Sequence, residues 1–316
     1  MIINIAVIGA GTMGHGIAHV FARSGRKVSL YDPIKESLLV APDKMREELQ
    51  FMADADYIAQ EDVERTLKNI IICSELAEAV KDADYVIEAI PERMELKKEL
   101  FAKLDVLCPK HTVFATNTSS LKLSEMISDL PDERQKLCMV SHWYNPAYLI
   151  PMVELSKFGN MEESVFDEVY ALYKESGKQP VRVLKDIPGM IANRILHAQA
   201  REVFHLLDIG AASPEDIDTA LMFGPCFRNA TTGMLETADM GGLDVWCAAE
   251  DNMFPHFNNS DKASDSMRSL VEAGHYGIKT GKGFFEYPEG QREELQQAFY
   301  HRLIRQLKVS DTYKNK

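Results

Sequence analysis

The sequence predicts an α/β chain: a doubly wound N-terminal sheet with helices on both faces, followed by an all-helical C-terminal domain. Three observations predict it. Short apolar segments alternate with helical stretches from residue 3 to residue 183. A glycine-rich turn joins the first apolar segment to the first helix. Beyond Asp186-Ile187-Pro188-Gly189 the alternation stops and apolar residues keep a helical period. The expected domains are therefore residues 1–186 and 187–316.

The opening carries the most information. Residues 3–8 are nearly all apolar and rich in Ile and Val, which suits a buried strand. Gly9-Ala10-Gly11-Thr12-Met13-Gly14 follows at once, then a helical stretch over residues 13–24. A second strand over 27–31 ends at Asp32. This is the dinucleotide-binding fingerprint of a Rossmann-type domain, in its required context. Gly9 permits the turn, Gly11 lets backbone approach a pyrophosphate, and Gly14 lets helix and strand pack closely. Thr12 and Met13 complete the turn. The helix N-terminus offers free N–H groups and a positive dipole end to phosphates. A carboxylate at Asp32 would bind the ribose 2′-OH and repel a 2′-phosphate, and Pro33 stands where an Arg would serve NADP. The expected cofactor is NAD.

Residues 70–73, 85–89, 113–116 and 137–141 continue the series of short strands, and 153–156 and 180–183 are candidates for added ones. A long helical pair fills residues 36–66. In the second domain Ile191, Ile195, Ala198, Val203, Leu206 and Leu207 mark a first helix. Ser213-Pro214-Glu215-Asp216 is a helix start, with Ser213 as cap and Pro214 at the first helical position. Further helices are expected over 261–273 and, as an amphipathic tail, 291–308.

Composition narrows the function. A formal net charge of −13 argues against a nucleic-acid partner. No apolar run approaches the roughly 20 residues of a membrane span, and the first strand begins at once after Met1, so neither a membrane segment nor a signal peptide is expected. Cys73, Cys108, Cys138, Cys226 and Cys247 are odd in number and scattered, as for reduced thiols of a cytoplasmic protein, and each reads as a small core residue. His15 and His19 have a spacing that can hold zinc, but no third ligand accompanies them in the sequence, so no metal is expected.

Polar residues follow two expected strands, where a doubly wound sheet binds its ligands. Asn117-Thr118-Ser119-Ser120 follows one; His142-Trp143-Tyr144-Asn145-Pro146 follows the other. His142 is a candidate general base, because an imidazole titrates near neutral pH. Glu154, flanked by apolar residues, is costly to bury unpaired, and pairing with His142 would satisfy it.

These motifs, with Pro188-Gly189-Met190-Ile191-Ala192-Asn193-Arg194 and Gly277-Ile278-Lys279-Thr280-Gly281-Lys282-Gly283-Phe284-Phe285, recur in this order in the L-3-hydroxyacyl-CoA dehydrogenase family, which residues 1 to 290 resemble. The resemblance implies an NAD-dependent oxidoreductase of fatty acid metabolism, and the small all-helical second domain is expected to supply a homodimer surface. The expected reaction interconverts a 3-hydroxyacyl-CoA, such as 3-hydroxybutyryl-CoA, with the 3-oxoacyl-CoA. By the same resemblance His142 takes the hydroxyl proton, Glu154 holds His142, and Ser119 and Asn193 bind the reacting oxygen or its neighbouring carbonyl. Glu92, Lys97, Asn145 and Lys279 match cofactor-contacting positions.

Two departures bear on substrate. The family's acyl-CoA enzymes carry a lysine-rich helix after the second strand, suited to the phosphates of CoA. Here the stretch holds Lys35, Lys44 and Arg46 among Glu36, Asp43, Glu47, Glu48, Asp54 and Asp56, which repel a polyphosphate. The run Gly224-Pro225-Cys226-Phe227-Arg228-Asn229-Ala230-Thr231-Thr232-Gly233-Met234-Leu235-Glu236 is closer to the gulonate dehydrogenase and lambda-crystallin branch. Arg228 is then a candidate for gripping a free carboxylate, and a small free hydroxy acid is the alternative substrate. A crystallin-like protein without turnover is a third reading, against which His142, Glu154, Ser119 and Asn193 all speak.

Overall fold

The computed structural model describes residues 1–157 and 161–313. The chain forms two units: Met1–Ile191 with Leu303–Lys308, and Ala192–Arg302 with Val309–Lys316.

In the first unit the elements run β1 (Asn4–Ile8), α1 (Gly14–Arg23), β2 (Lys27–Tyr31), α2 (Lys35–Asp54), α3 (Gln60–Leu67), β3 (Ile70–Cys73), α4 (Leu76–Val80), β4 (Tyr85–Glu88), α5 (Met94–Leu107), β5 (Val113–Thr116), α6 (Leu123–Met126), α7 (Asp132–Gln135), β6 (Cys138–Trp143), β7 (Met152–Ser156), α8 (Glu163–Glu175) and β8 (Gln179–Arg182). The strands form one eight-stranded sheet in the order β3-β2-β1-β4-β5-β6-β7-β8. The order reverses between β1 and β4, so the glycine turn after β1 opens at the switch point where such sheets bind ligands.

The structure adds one feature that the sequence left open and moves one boundary that matters for the site. β7 runs antiparallel to β6, so the sheet is mixed. The cause is length: residues 144–151 are too few for a crossover, which needs about a dozen residues. β6 also runs to Trp143, so His142 lies within the strand rather than after it.

Burial explains the strands. Every residue of β4, β5 and β6 is buried, as for strands covered on both faces. One cluster is built on Ala6, Ile8, Val86, Phe101, Phe114 and Val140. An aromatic cluster joins Phe21, Tyr85, Trp143 and Tyr173, with Phe21 edge-on to the other three at 5.4–6.2 Å between ring centroids. Its polar atoms are paired: the Tyr85 and Tyr173 hydroxyls lie 2.9 Å apart, and Trp143 Nε1 donates to Ser141 Oγ at 3.2 Å.

The second unit is helical: α9 (Ala192–Asp208), α10 (Pro214–Phe223), α11 (Pro225–Asn229), α12 (Met234–Gly241), α13 (Leu243–Met253), α14 (Asp265–Glu272) and α15 (Arg292–Ser310). Ser213 caps α10, its Oγ accepting the Asp216 N–H at 3.1 Å. The helix expected from residue 261 begins at Asp265, because Ser264 Oγ caps it through the Met267 N–H and residues 258–260 are held in a turn by Asn258 Oδ1. Within α15, Ile304 and Leu307 are buried and belong to the first unit. Among the described residues no helix is long and apolar enough to cross a membrane.

Candidate active site

The glycine turn fits a dinucleotide for reasons visible in its own backbone. Gly9 has φ +104°, and a Cβ there would lie 2.7 Å from the Ala89 carbonyl oxygen. A Cβ on Gly14 would lie 1.7 Å from the Gly9 carbonyl oxygen. Both glycines are thus required by the protein itself. Gly11 is not: a Cβ there would meet no protein atom within 4 Å. Space at Gly11, directly before the N-terminus of α1, suits a diphosphate drawn close to backbone N–H groups. Asp32 closes the turn from beneath, Oδ2 accepting the Ala10 N–H at 2.7 Å and Oδ1 the Ile34 N–H at 2.8 Å. Thr12 is exposed and Met13 half-buried.

A second group forms at the ends of β4 and β5. Glu92 Oε1 accepts the Thr118 hydroxyl at 2.6 Å, the Ser119 and Ser120 N–H groups at 3.0 Å, and the Ser120 hydroxyl at 3.0 Å. Its Oε2 lies 3.4 Å from Lys97 Nζ. Burial pushes the Glu92 carboxyl up, but the Thr118 hydroxyl, the Lys97 charge and the Ser119–Ser120 donors outweigh it and hold it at about 2. Lys97 is buried, with Nζ 2.6 Å from Glu88 Oε1, and Thr116 Oγ1 donates to the same oxygen. Glu92 therefore shapes the loop that carries Ser119, and Lys97 acts on it through the two carboxylates.

The third group spans β6 and β7. The register pairs His142 with Glu154 directly, and His142 Nδ1 lies 2.9 Å from Glu154 Oε2. Glu154 is fully buried, and its Oε1 accepts the Ile191 N–H at 2.8 Å. With both Glu154 oxygens bonded and Nδ1 committed, Nε2 is the nitrogen of His142 that can take a proton. The Tyr144 ring stands edge-on to His142 at 5.0 Å, and burial, followed by the Glu154 charge, pushes its phenol up to about 12. Asn117 Oδ1 accepts the Trp143 N–H at 2.8 Å and so ties the β5 loop to the end of β6. Asn145 is exposed.

Asn193, Arg228 and Lys279 are carried by the second unit. Asn193 lies in the first turn of α9 and is half-buried. Arg228 is exposed on α11. Lys279 is exposed in a tight turn closed by the Gly277 N–H on the Lys282 carbonyl at 2.8 Å.

Sequence reasoning missed two features. Lys178 is buried; its Nζ donates to the Ala147 carbonyl and, at 2.9 Å, to that of Ile150, and it lies 4.9 Å over the Trp143 ring. Glu48 bridges His15 and His19. Neither has a sequence signal, because each partner lies on another element. Among the described residues no group of three or more His, Cys, Asp or Glu is arranged to hold a metal ion.

A glycine cradle at the switch point and a histidine–carboxylate pair on neighbouring strands define a nicotinamide-dependent dehydrogenase. Comparison with known proteins gives the family. The 3-hydroxyacyl-CoA dehydrogenase NAD binding domain matches residues 4–187, and the C-terminal domain of the same enzymes matches residues 189–287. The chain belongs to the 3-hydroxyacyl-CoA dehydrogenase family, whose members are NAD-dependent oxidoreductases. It is 31% identical over 304 residues to a 5-formyl-3-hydroxy-2-methylpyridine 4-carboxylate 5-dehydrogenase of Mesorhizobium japonicum, covering 96% of this chain and 97% of that one. It is 36% identical over 295 residues to the mitochondrial hydroxyacyl-coenzyme A dehydrogenase of Rattus norvegicus, covering 91% and 92%. A crystal structure of a 5-formyl-3-hydroxy-2-methylpyridine 4-carboxylic acid 5-dehydrogenase, described as an NAD+ dependent dismutase, aligns over 100% of both chains with a TM-score of 0.88 at 29% identity.

Proposed function

We propose that the protein is an NAD-dependent dehydrogenase that oxidises a secondary hydroxyl with His142 as general base, and that the hydroxyl belongs to a small free carboxylic acid. The observation that carries the base assignment is the cross-strand pair of His142 and Glu154. Nε2 of His142 takes the hydroxyl proton. Glu154, fixed by the Ile191 N–H, offsets the imidazolium charge and keeps the ring in place. Ser119 and Asn193 hydrogen-bond the reacting oxygen or its neighbour as alkoxide character grows. The nicotinamide, when bound, supplies the acceptor for the hydride. Alcohol plus NAD gives ketone, NADH and one proton, and His142 is the first holder of that proton.

Charge supports the free acid. Between Lys35 and Leu67 nine acids stand against four bases. Two pairs cancel within that count, Arg46 with Glu64 and Arg65 with Asp62 at 2.6 Å, and acids still exceed bases among the remainder. A CoA polyphosphate finds repulsion there. Arg228 is exposed and makes no ion pair among the described residues, so its guanidinium is available for a bidentate carboxylate. The name of the Mesorhizobium relative is likewise that of a small free carboxylate, although the group it marks for dehydrogenation is a formyl group rather than a secondary hydroxyl. The second reading, a 3-hydroxyacyl-CoA such as 3-hydroxybutyryl-CoA, is favoured by the 36% identity to the rat enzyme.

NADH absorbance or fluorescence separates the two readings. Purified protein is given acetoacetyl-CoA and longer 3-oxoacyl-CoAs with NADH, and free 3-hydroxy acids, gulonate and pyridine carboxylates with NAD. Turnover of a free acid, abolished by Arg228→Met, upholds the proposal. Efficient turnover of the thioester alone overturns it in favour of the second reading.

We also propose a homodimer formed through the helical unit. Among the described residues of α9 to α14 only Ile217 and Thr237 are buried, while Phe223, Phe227, Leu235, Met240 and Leu243 stand exposed. Apolar surface on that scale calls for a cover, and a second copy supplies the same helices by symmetry. Light scattering should give twice the 35.6 kDa of one chain. A monomer mass at micromolar concentration would reject the dimer.

A further inference from the structure

Two histidines outside the proposed chemistry share one carboxylate. His15 and His19, one turn apart on α1, each direct Nε2 at Glu48 of α2, at 3.1 Å to Oε1 and 3.0 Å to Oε2. His15 is 5% exposed and His19 0%. Their buried Nδ1 atoms make no hydrogen bond of ordinary geometry, although the Gly11 carbonyl faces His15 closely enough to favour its protonated ring. The other groups facing the cluster are Arg23 of α1, Lys44 of α2 and the Tyr148 ring, 5.6 Å from His19.

The charges within this cluster must balance. Burial pushes the Glu48 carboxyl up, but hydrogen bonds and charge from the two imidazoles win and hold it at about 2, so Glu48 is ionised. One buried negative charge calls for one proton on the pair. Burial disfavours the charged form of both rings. At His15 the bond and charge of Glu48 and the Gly11 carbonyl outweigh burial, and the proton is held more tightly than usual. At His19 complete burial prevails over Glu48, with Arg23 and His15 adding to it, and the ring stays neutral.

We propose that His15 is a residue of the dinucleotide site, whose proton cancels the Glu48 charge beside the glycine turn and thereby strengthens binding of the cofactor diphosphate. With His15 protonated the cluster is neutral. With His15 neutral, Glu48 of α2 leaves a net negative charge 3.1 Å from the second residue of α1, the helix whose N-terminus must receive a diphosphate. The raised group keeps its proton below its ordinary value of 6.5 and loses it as pH climbs through a higher folded value, so affinity falls on the alkaline side. The inference rests on NAD binding by this family and not on the role of His142.

The test is NADH binding followed by fluorescence from about pH 6 to about pH 8.5, in a His142→Ala background that removes the imidazole of the proposed base. The dissociation constant should rise about fivefold over that range, the scale of one charge beside a helix end. Calorimetry in two buffers of different ionisation heat should show proton uptake on binding near neutral pH. His15→Gln should flatten the pH dependence and abolish the uptake; an unchanged slope in folded His15→Gln overturns the proposal, as does a flat parent. Should His15→Gln fail to fold, Glu48→Gln serves instead: it removes the negative charge, and a persisting alkaline loss of affinity is equally fatal.

Discussion

His142 and Glu154 are direct partners in the antiparallel register of β6 and β7, so their 2.9 Å contact is set by strand pairing rather than by a mobile loop. Side chains of directly opposed residues lie on one face of the sheet, and each strand fixes the other's ring or carboxylate. The pair is also sealed, since Glu154 has no exposed surface.

Removing the base should therefore act on turnover more than on cofactor binding. His142→Ala is expected to lower kcat by about 10²–10⁴. Glu154→Gln keeps shape but not charge, and should lower kcat less than His142→Ala. NADH affinity should stay within about threefold of wild type in both at slightly acid pH. Steady-state rates and NADH fluorescence check this; near-normal turnover in both variants would reject the base assignment.

Gly11 and Gly14 should separate folding from cofactor binding. A Cβ at Gly14 collides with the Gly9 carbonyl at 1.7 Å, so Gly14→Ala should fold poorly or not at all. A Cβ at Gly11 meets no protein atom, so Gly11→Ala should keep the thermal midpoint within a few degrees while losing NADH affinity about tenfold or more. Equal affinity in Gly11→Ala would mean that the diphosphate does not approach there.

Glu92 predicts an acid-side stability signature. Its folded value near 2 lies below the ordinary 4.5, so its contribution is complete above 4.5 and is lost as pH falls toward 2. Glu92→Gln should flatten part of the acid limb of stability against pH. It should also raise the KM for substrate, because the Ser119 and Ser120 N–H groups lose a charged acceptor. Denaturant titrations at several acid pH values supply the readout, and superimposable curves would count against the role.

Lys178→Met should be costly without touching the proposed chemistry. The ammonium satisfies the carbonyls of Ala147 and Ile150 in the connection between β6 and β7. Leaving buried acceptors unpaired costs about 1–3 kcal/mol, which should appear as a clear fall in thermal midpoint. An unchanged midpoint would show that water replaces the ammonium freely.

Much of this was legible in the sequence. The glycine turn, its flanking strand and helix, and Asp32 needed only local pattern, because every residue involved lies close in the chain. The Ser119 loop and the His142–Glu154 pair were legible as polar residues at apolar strand ends. The end of β6 was not: His142 and Trp143 continue the strand although the sequence pattern ends it at Ser141, because pairing with β7 prevails over local preference. The reversal of β7 followed from a short connection that the strand pattern alone did not weigh. Glu48 and Lys178 were illegible, since their partners lie 29 to 33 and 28 to 31 positions away on other elements.

The chain has two tryptophans, Trp143 in the first unit and Trp246 in the second. Trp143 is 3% exposed, against Tyr173 and under the Lys178 ammonium, while Trp246 is half-buried. Their emission maxima should therefore differ, blue for the first and red for the second. Each unit thus carries its own optical label, and single Trp→Phe variants at either position would let the melting of one be watched apart from the other, with no dye attached.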